Sequence, residues 1–339
     1  MKFFLSVLFS VINTIAFTQH LTEANRNNLQ KMEAEIIPYA NNMIMAEEAL
    51  DRYRADSFFT RGLVKALKTP YSFYYNFDSV TTISKLYAPD SSFKIFTWQL
   101  VKDYSSIRQK GAIQMNTADG SLKLIPLFDV SDDTENPVDS IRTAQRWIGA
   151  LYYKIILTTY NNKKYYTLIG LDENNEKSNK KWIEVLTFDK NANPVLGGRY
   201  FQYPNDEIKP KQPAFRFCLE YKKEARAKLN YDTNLGMIVF DHLISESKEP
   251  EQKQTLIPDG DYEGFKWVNG IWVYVYKVFD YAIDMNGVDP IIGNPPVPKP
   301  IKETKPSKKS KKDEFLDDNP YKVNDRRKQY NDQRKNEDY

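Results

Sequence analysis

Asp259, Asp261 and Glu263, in the run Asp259-Gly-Asp-Tyr-Glu-Gly264, have the spacing in this chain that comes nearest to a ligand set. Carboxylates at alternate positions followed by glycine open the loops that wrap a calcium ion, where hard oxygen ligands converge and glycine allows the sharp turn. The twelfth position, which would carry a bidentate glutamate, is Gly270, and β-type residues follow at once, so the segment is not an EF-hand. The competing reading is a turn entering a hairpin, since aspartate and glycine also dominate plain turns. Asp172-Glu-Asn-Asn-Glu-Lys177 is a weaker version without the glycine and reads as a long hairpin turn. With two histidines and one cysteine in 339 residues, chelation by histidine is excluded by count, and no cofactor is expected.

Nucleophilic chemistry is no better supplied. Asp241-His242 ends an expected strand, where neighbours point to opposite faces and cannot pair directly, and no G-x-S-x-G accompanies it. Cys218 lies in the alternating run Phe215-Arg-Phe-Cys-Leu-Glu-Tyr221 and reads as a small buried residue; a catalytic thiol would need His20 or His242 beside it. Acid–base hydrolysis needs two carboxylates about 5 to 10 Å apart across a cleft. Asp129, Asp132, Asp133 and Asp172 are candidates with the three above, but spacing alone brings no two of them together. Aromatics cluster at Tyr71, Phe73, Tyr74, Tyr75 and Phe77 and pair at Tyr152-Tyr153 and Tyr165-Tyr166. Exposed rings could stack on sugars or anchor a partner, whereas buried ones serve cross-strand packing.

The elements that must position these residues fall into four stretches. Residues 1–19 have the layout of a secretory signal: Lys2, an apolar Phe3–Phe17, then a cleavage region at Thr18 and Gln19. At about 15 residues the apolar run is short for a bilayer span, which needs roughly 20. Residues 20–69 read as helical. Thr22 is the expected N-cap of a segment running to about Arg54, with Leu29, Met32, Ile36, Ala40, Met43, Glu47, Leu50 and Tyr53 on one mostly apolar face and Pro38 kinking or splitting it. A second helix is expected from a cap at Asp56 or Ser57, burying Phe58, Phe59, Leu63 and Leu67, with Pro70 ending it.

Residues 70–283 turn to β periodicity, from Ile83–Tyr87 and Phe93–Val101 through Ala150–Thr159, Tyr165–Leu171 and Lys181–Phe188 to Tyr262–Val268 and Ile271–Phe279. Short polar turns such as Asn161-Asn162 and Asn269-Gly270 join them, so the strands should pair antiparallel. Ile271–Phe279, apolar on both faces, should lie centrally, and Asp139 should cap a short helix, Ser140–Arg146. The expected fold is α+β, mainly β: an antiparallel meander forming a sheet, sandwich or open barrel with an N-terminal helical layer.

Residues 284–339 read as a disordered tail. Prolines interrupt it, and Lys299–Lys312 holds seven lysines against Glu303 alone. The net charge of +3 resides from Asn286 onward, where 13 Lys and Arg face 10 Asp and Glu, leaving 35 of each elsewhere. A neutral folded part argues against nucleic-acid binding, while the basic arm could adhere to an anionic envelope component or serve as a solubilising tether.

Trp147-Ile-Gly-Ala-Leu-Tyr-Tyr153, Tyr166-Thr-Leu-Ile-Gly-Leu-Asp172, Ile238-Val-Phe-Asp-His-Leu243 and Ile257-Pro-Asp-Gly260 together resemble uncharacterised exported proteins of Bacteroidota-type Gram-negative bacteria, over roughly Ile95 to Val278. The resemblance implies export and β architecture and carries no activity. The sequence leans away from an enzyme. The expectation is an exported envelope or surface protein, periplasmic or extracellular, that binds a partner or polymer. A secreted hydrolase with carboxylate chemistry and a carrier of an apolar ligand are the alternatives.

Overall fold

The computed structural model describes residues 21–103 and 106–279; the signal, its cleavage region at Thr18 and Gln19, and the tail with Lys299–Lys312 lie outside them. Two helices open the described chain, α1 (Glu23–Met45) and α2 (Ala49–Leu67). Thr22 caps α1 as expected, its hydroxyl accepting from the Asn25 amide at 3.2 Å. Pro38 neither ends nor splits α1. It lies on the exposed side, where water can serve the Ala34 carbonyl that loses its partner. The break falls instead at the extended Ala46, where Arg52 donates to the carbonyls of Ala46 (2.7 Å) and Glu47 (2.6 Å) and reaches the strand-end carbonyl of Val101 (2.7 Å). Restarting the helix there shifts its phase. Leu50, Tyr53 and Phe58, expected to be buried, are therefore exposed, and Phe59, Leu63 and Leu67 face the core.

The first sheet is a meander of β1 (Ser84–Tyr87), β2 (Phe93–Val101), β3 (Ile107–Met115) and β4 (Lys123–Phe128). The second contains β5 (Arg142–Thr143), β6 (Leu151–Tyr160), β7 (Lys163–Asp172), β8 (Ser178–Phe188) and β9 (Pro194–Leu196), ordered β5-β9-β8-β7-β6. After β10 (Phe201–Gln202), β11 (Phe217–Lys222) joins the second sheet by pairing with β8. The third sheet is β10 with β12 (Leu229–Asp232), β13 (Met237–Ser245), β14 (Leu256–Val268) and β15 (Ile271–Val275), ordered β10-β15-β14-β13-β12.

The layers stack as helices, first sheet, second sheet, third sheet. Leu29, Ile36, Phe59, Phe96 and Trp98 fill the space between helices and first sheet. Phe93, Ile95, Trp147, Tyr152 and Leu168 fill the next space, and Ile169, Ile183, Phe217, Phe240, Phe265 and Trp272 the last. The architecture is mainly β, antiparallel and open, with a helical layer at the N-terminus. The turns at Asn161-Asn162 and Asn269-Gly270 have positive φ at both central residues, as tight hairpins of right-twisted strands require.

Three details depart from expectation. β10 pairs with β15 in parallel, which a long return connection permits. β15 stops at Val275, ahead of Lys277 at φ 53°, so it is flanked on both sides only near Trp272. No helix forms over Ser140–Arg146: Arg142–Thr143 is strand, followed by a single 3-10 turn, Ala144–Arg146. The Arg216 guanidinium takes the carbonyls of Pro137 and Ser140, and the second of these is one that a helix would need.

Candidate functional site

A groove of about 340 Å³ runs between α1 and the chain that follows α2. Its helical wall presents Arg26, Gln30 and Ala34, whose four-residue spacing puts them on one solvent-facing stripe. Its other wall is Tyr74 to Ser79, led into by Tyr71 at φ 60° and the 3-10 turn Ser72–Tyr74. From there side chains alternate: Tyr74, Asn76 and Asp78 are exposed, while Tyr75 and Phe77 are buried. Of the five aromatics clustered in this segment of the sequence, Tyr74, Tyr75 and Phe77 line the groove, and of these Tyr74 is the exposed one, at 43%, its hydroxyl donating to Asn116 Oδ1 at 3.4 Å.

The second wall is held from both sides. On the groove side, Glu33 accepts from the Ser79 amide at 2.7 Å and from the Tyr75 hydroxyl. Burial and this carboxylate push the Tyr75 phenol well above its ordinary range. From behind, Lys94 on β2 donates to the Tyr75 carbonyl at 2.6 Å, and Lys85 on β1 to those of Phe77 (2.8 Å) and Val80 (2.6 Å). The Tyr87 hydroxyl adds bonds to the Phe73 carbonyl (2.8 Å) and Asn76 Oδ1 (3.1 Å). Phe77, fully buried at φ 57°, occupies a backbone region disfavoured for an aromatic residue and is kept there by these bonds.

Lys94 is itself 0% exposed, its ammonium 4.3 Å from the Tyr87 ring centroid and 5.3 Å from that of Phe96. Burial, with the Lys85 charge nearby, lowers it to about 7 against the weaker opposing pull of Asp78. Burial lowers Lys85 too. The outward side chains of the groove supply hydrogen-bond donors, acceptors and a ring face, which is equipment for binding.

The residues singled out in the sequence are scattered by comparison. Asp259, Asp261 and Glu263 fall in β14 and do not converge. Asp259 accepts from its own turn, at the Asp261 amide (3.0 Å), and pairs with His242 at 2.8 Å. Glu263 is buried against Lys209 (3.0 Å) and the Tyr274 hydroxyl. No group of three or more His, Cys, Asp or Glu among the described residues is placed to hold a metal ion. Asp241 and His242 do face apart, Asp241 turning inward to the Lys228 amide at 2.7 Å.

Asp172 is buried, its carboxyl pushed up to about 6 by desolvation and, more weakly, by Asp129. Gln109 links the two, donating its backbone amide to Asp129 (3.0 Å) and its side chain to Asp172 (3.5 Å). Asp172 also closes its own turn on the Asn174 amide at 2.9 Å. Burial pushes the Cys218 thiol far up, away from the reactive thiolate. Tyr152 and Tyr166 are buried toward the first sheet and Tyr153 and Tyr165 pack toward the third, because the second sheet is covered on both faces. No protein-family model, curated protein or solved structure matches this chain.

Proposed function

We propose that this is an exported, non-catalytic envelope or surface protein that binds a partner or polymer in the groove between α1 and residues 74–79. The Lys299–Lys312 arm adds attraction to an anionic envelope component. The observation that carries the reading is the pinned wall. Buried Lys94, half-buried Lys85 and buried Glu33 fix a loop whose Tyr74, Asn76 and Asp78 side chains are exposed. Such pre-organisation lowers the entropy lost on binding. The test has two parts. Fractionation of whole cells should place the mature chain outside the cytoplasm, and purified chain should co-sediment with isolated envelope. Retention in the cytoplasm, or no co-sedimentation, defeats the proposal.

A further inference from the structure

Resting on that binding role, we infer that the groove takes a saccharide: a neutral, hydroxyl-rich ring system stacked on Tyr74 and bonded by Gln30, Arg26, Asn76 and Asp78. The pinned wall first argues against a peptide. The Tyr75, Phe77 and Val80 carbonyls are occupied by Lys94 and Lys85, the Ser79 amide by Glu33, and the Val80 amide turns back to the Phe77 carbonyl at 3.1 Å. An extended peptide added as a strand needs a row of free backbone groups, and this wall does not offer one. Recognition must pass through side chains.

Those side chains match a sugar. A hydroxyl both donates and accepts, and a saccharide ring combines a rim of hydroxyls with an apolar C–H face. Gln30 carries an amide with both functions, Asn76 adds amide N–H donors while its Oδ1 takes the Tyr87 hydroxyl, Arg26 is a planar donor fork and Asp78 an acceptor. Tyr74 is braced edge-on by Phe73 at 5.3 Å and 86°, which keeps its exposed ring steady as a platform. Charge selects against ionic ligands. Arg26 is already paired with Glu23 at 3.8 Å, Asp78 stands on the opposite wall, and Glu33 spends its oxygens inward, so neither a phosphate nor a polybasic segment finds a dominant opposite sign. The volume, about 340 Å³, sits at the small end of binding sites, which run from roughly 300 to 1,000 Å³, and an open groove lets a chain run on beyond it.

The test is calorimetric titration of the full chain with cellohexaose, maltoheptaose and xylohexaose, beside co-sedimentation with envelope treated by periodate or by protease. At least one oligosaccharide should bind. Tyr74→Ala should weaken it about fivefold to tenfold, Gln30→Ala less, and Tyr74→Trp should retain it. Both positions are exposed, and unchanged thermal melting would show that the variants fold. Periodate should abolish co-sedimentation while protease spares it. Co-sedimentation lost to protease but not periodate would overturn the saccharide and leave the binding role standing. Oligosaccharide binding indifferent to Tyr74→Ala and Gln30→Ala would overturn the groove as its site. No binding to either material would defeat both readings.

Discussion

Two regions of this protein take full charges out of water, and they neutralise them by different means. In the second sheet, Arg216 and Glu184, with side chains 1% and 2% exposed, pair at 3.2 Å. The remaining guanidinium nitrogens reach the carbonyls of Ser140 (3.1 Å), Pro137 and Leu196 (3.2 Å). Glu184 is completed by the Tyr152 hydroxyl, which itself accepts from Trp147 at 2.7 Å. Behind the groove, Lys94 has only a carbonyl and aromatic faces, and Lys85 only carbonyls. The paired charges tie the 137–140 segment and β9 to the sheet. The unpaired ones hold a loop, and desolvation left without a counter-ion moves Lys94 into the neutral range. The first arrangement is architecture; the second keeps the groove wall in shape at the expense of an ammonium poorly suited to its site.

The largest effect should come from breaking the paired region. Arg216→Met strands the Glu184 charge and three carbonyls and should cost about 3–5 kcal/mol in denaturant unfolding. A loss below about 1 kcal/mol would mean that the pair does not hold the 137–140 segment and β9 to the sheet.

The unpaired region should show itself through pH. Lys94 titrates lower in the folded chain, about 7, than in the unfolded one, near 10.5, so between these values the unfolded state holds the extra proton. Its burial penalty is therefore full below pH 7 and relieved as pH rises toward 10, by at most roughly 1.4 kcal/mol per pH unit. Unfolding curves of wild type minus Lys94→Met should rise over that window. A flat difference would place Lys94 in a wetter or better paired setting.

A smaller effect is expected at the groove-side clamp. Tyr75→Phe removes one of the two bonds to the Glu33 carboxylate and should cost about 1–2 kcal/mol in the same assay. The smallest concerns calcium. Asp259 is paired with His242 and Glu263 with Lys209, so millimolar calcium should leave Tm unmoved; a clear rise would show that the three carboxylates regroup around the ion.

Much of the scaffold was legible. The Thr22 cap, the strands β2, β7 and β8 and the tight hairpins follow from local chemistry that tertiary packing did not overrule. The helix break at Ala46 was not legible, because it depends on Arg52 meeting the end of β2 some fifty residues away. Nor was the pairing of Arg216 with Glu184, which joins β8 to the segment leading into β11. The groove left fainter traces. The 71–77 aromatic cluster is visible in the sequence, but which rings face out is decided by the loop's alternation and by Phe77's backbone. Glu33 sits on the apolar stripe of α1, and Lys94 stands in Phe93-Lys-Ile-Phe-Thr-Trp98, a strand that is otherwise uncharged and is buried on both faces. A lone charge in such a pattern was the available signal for a buried clamp.

Amide hydrogen exchange over residues 75–80 of the ligand-free chain tests the pinned wall most directly. If Lys94, Lys85 and Glu33 hold that loop, the Ser79 amide exchanges slowly, near the rate of β2, and Lys94→Met accelerates it while β6 to β8 stay protected. Exchange in the wild type as fast as an open surface loop would contradict the account.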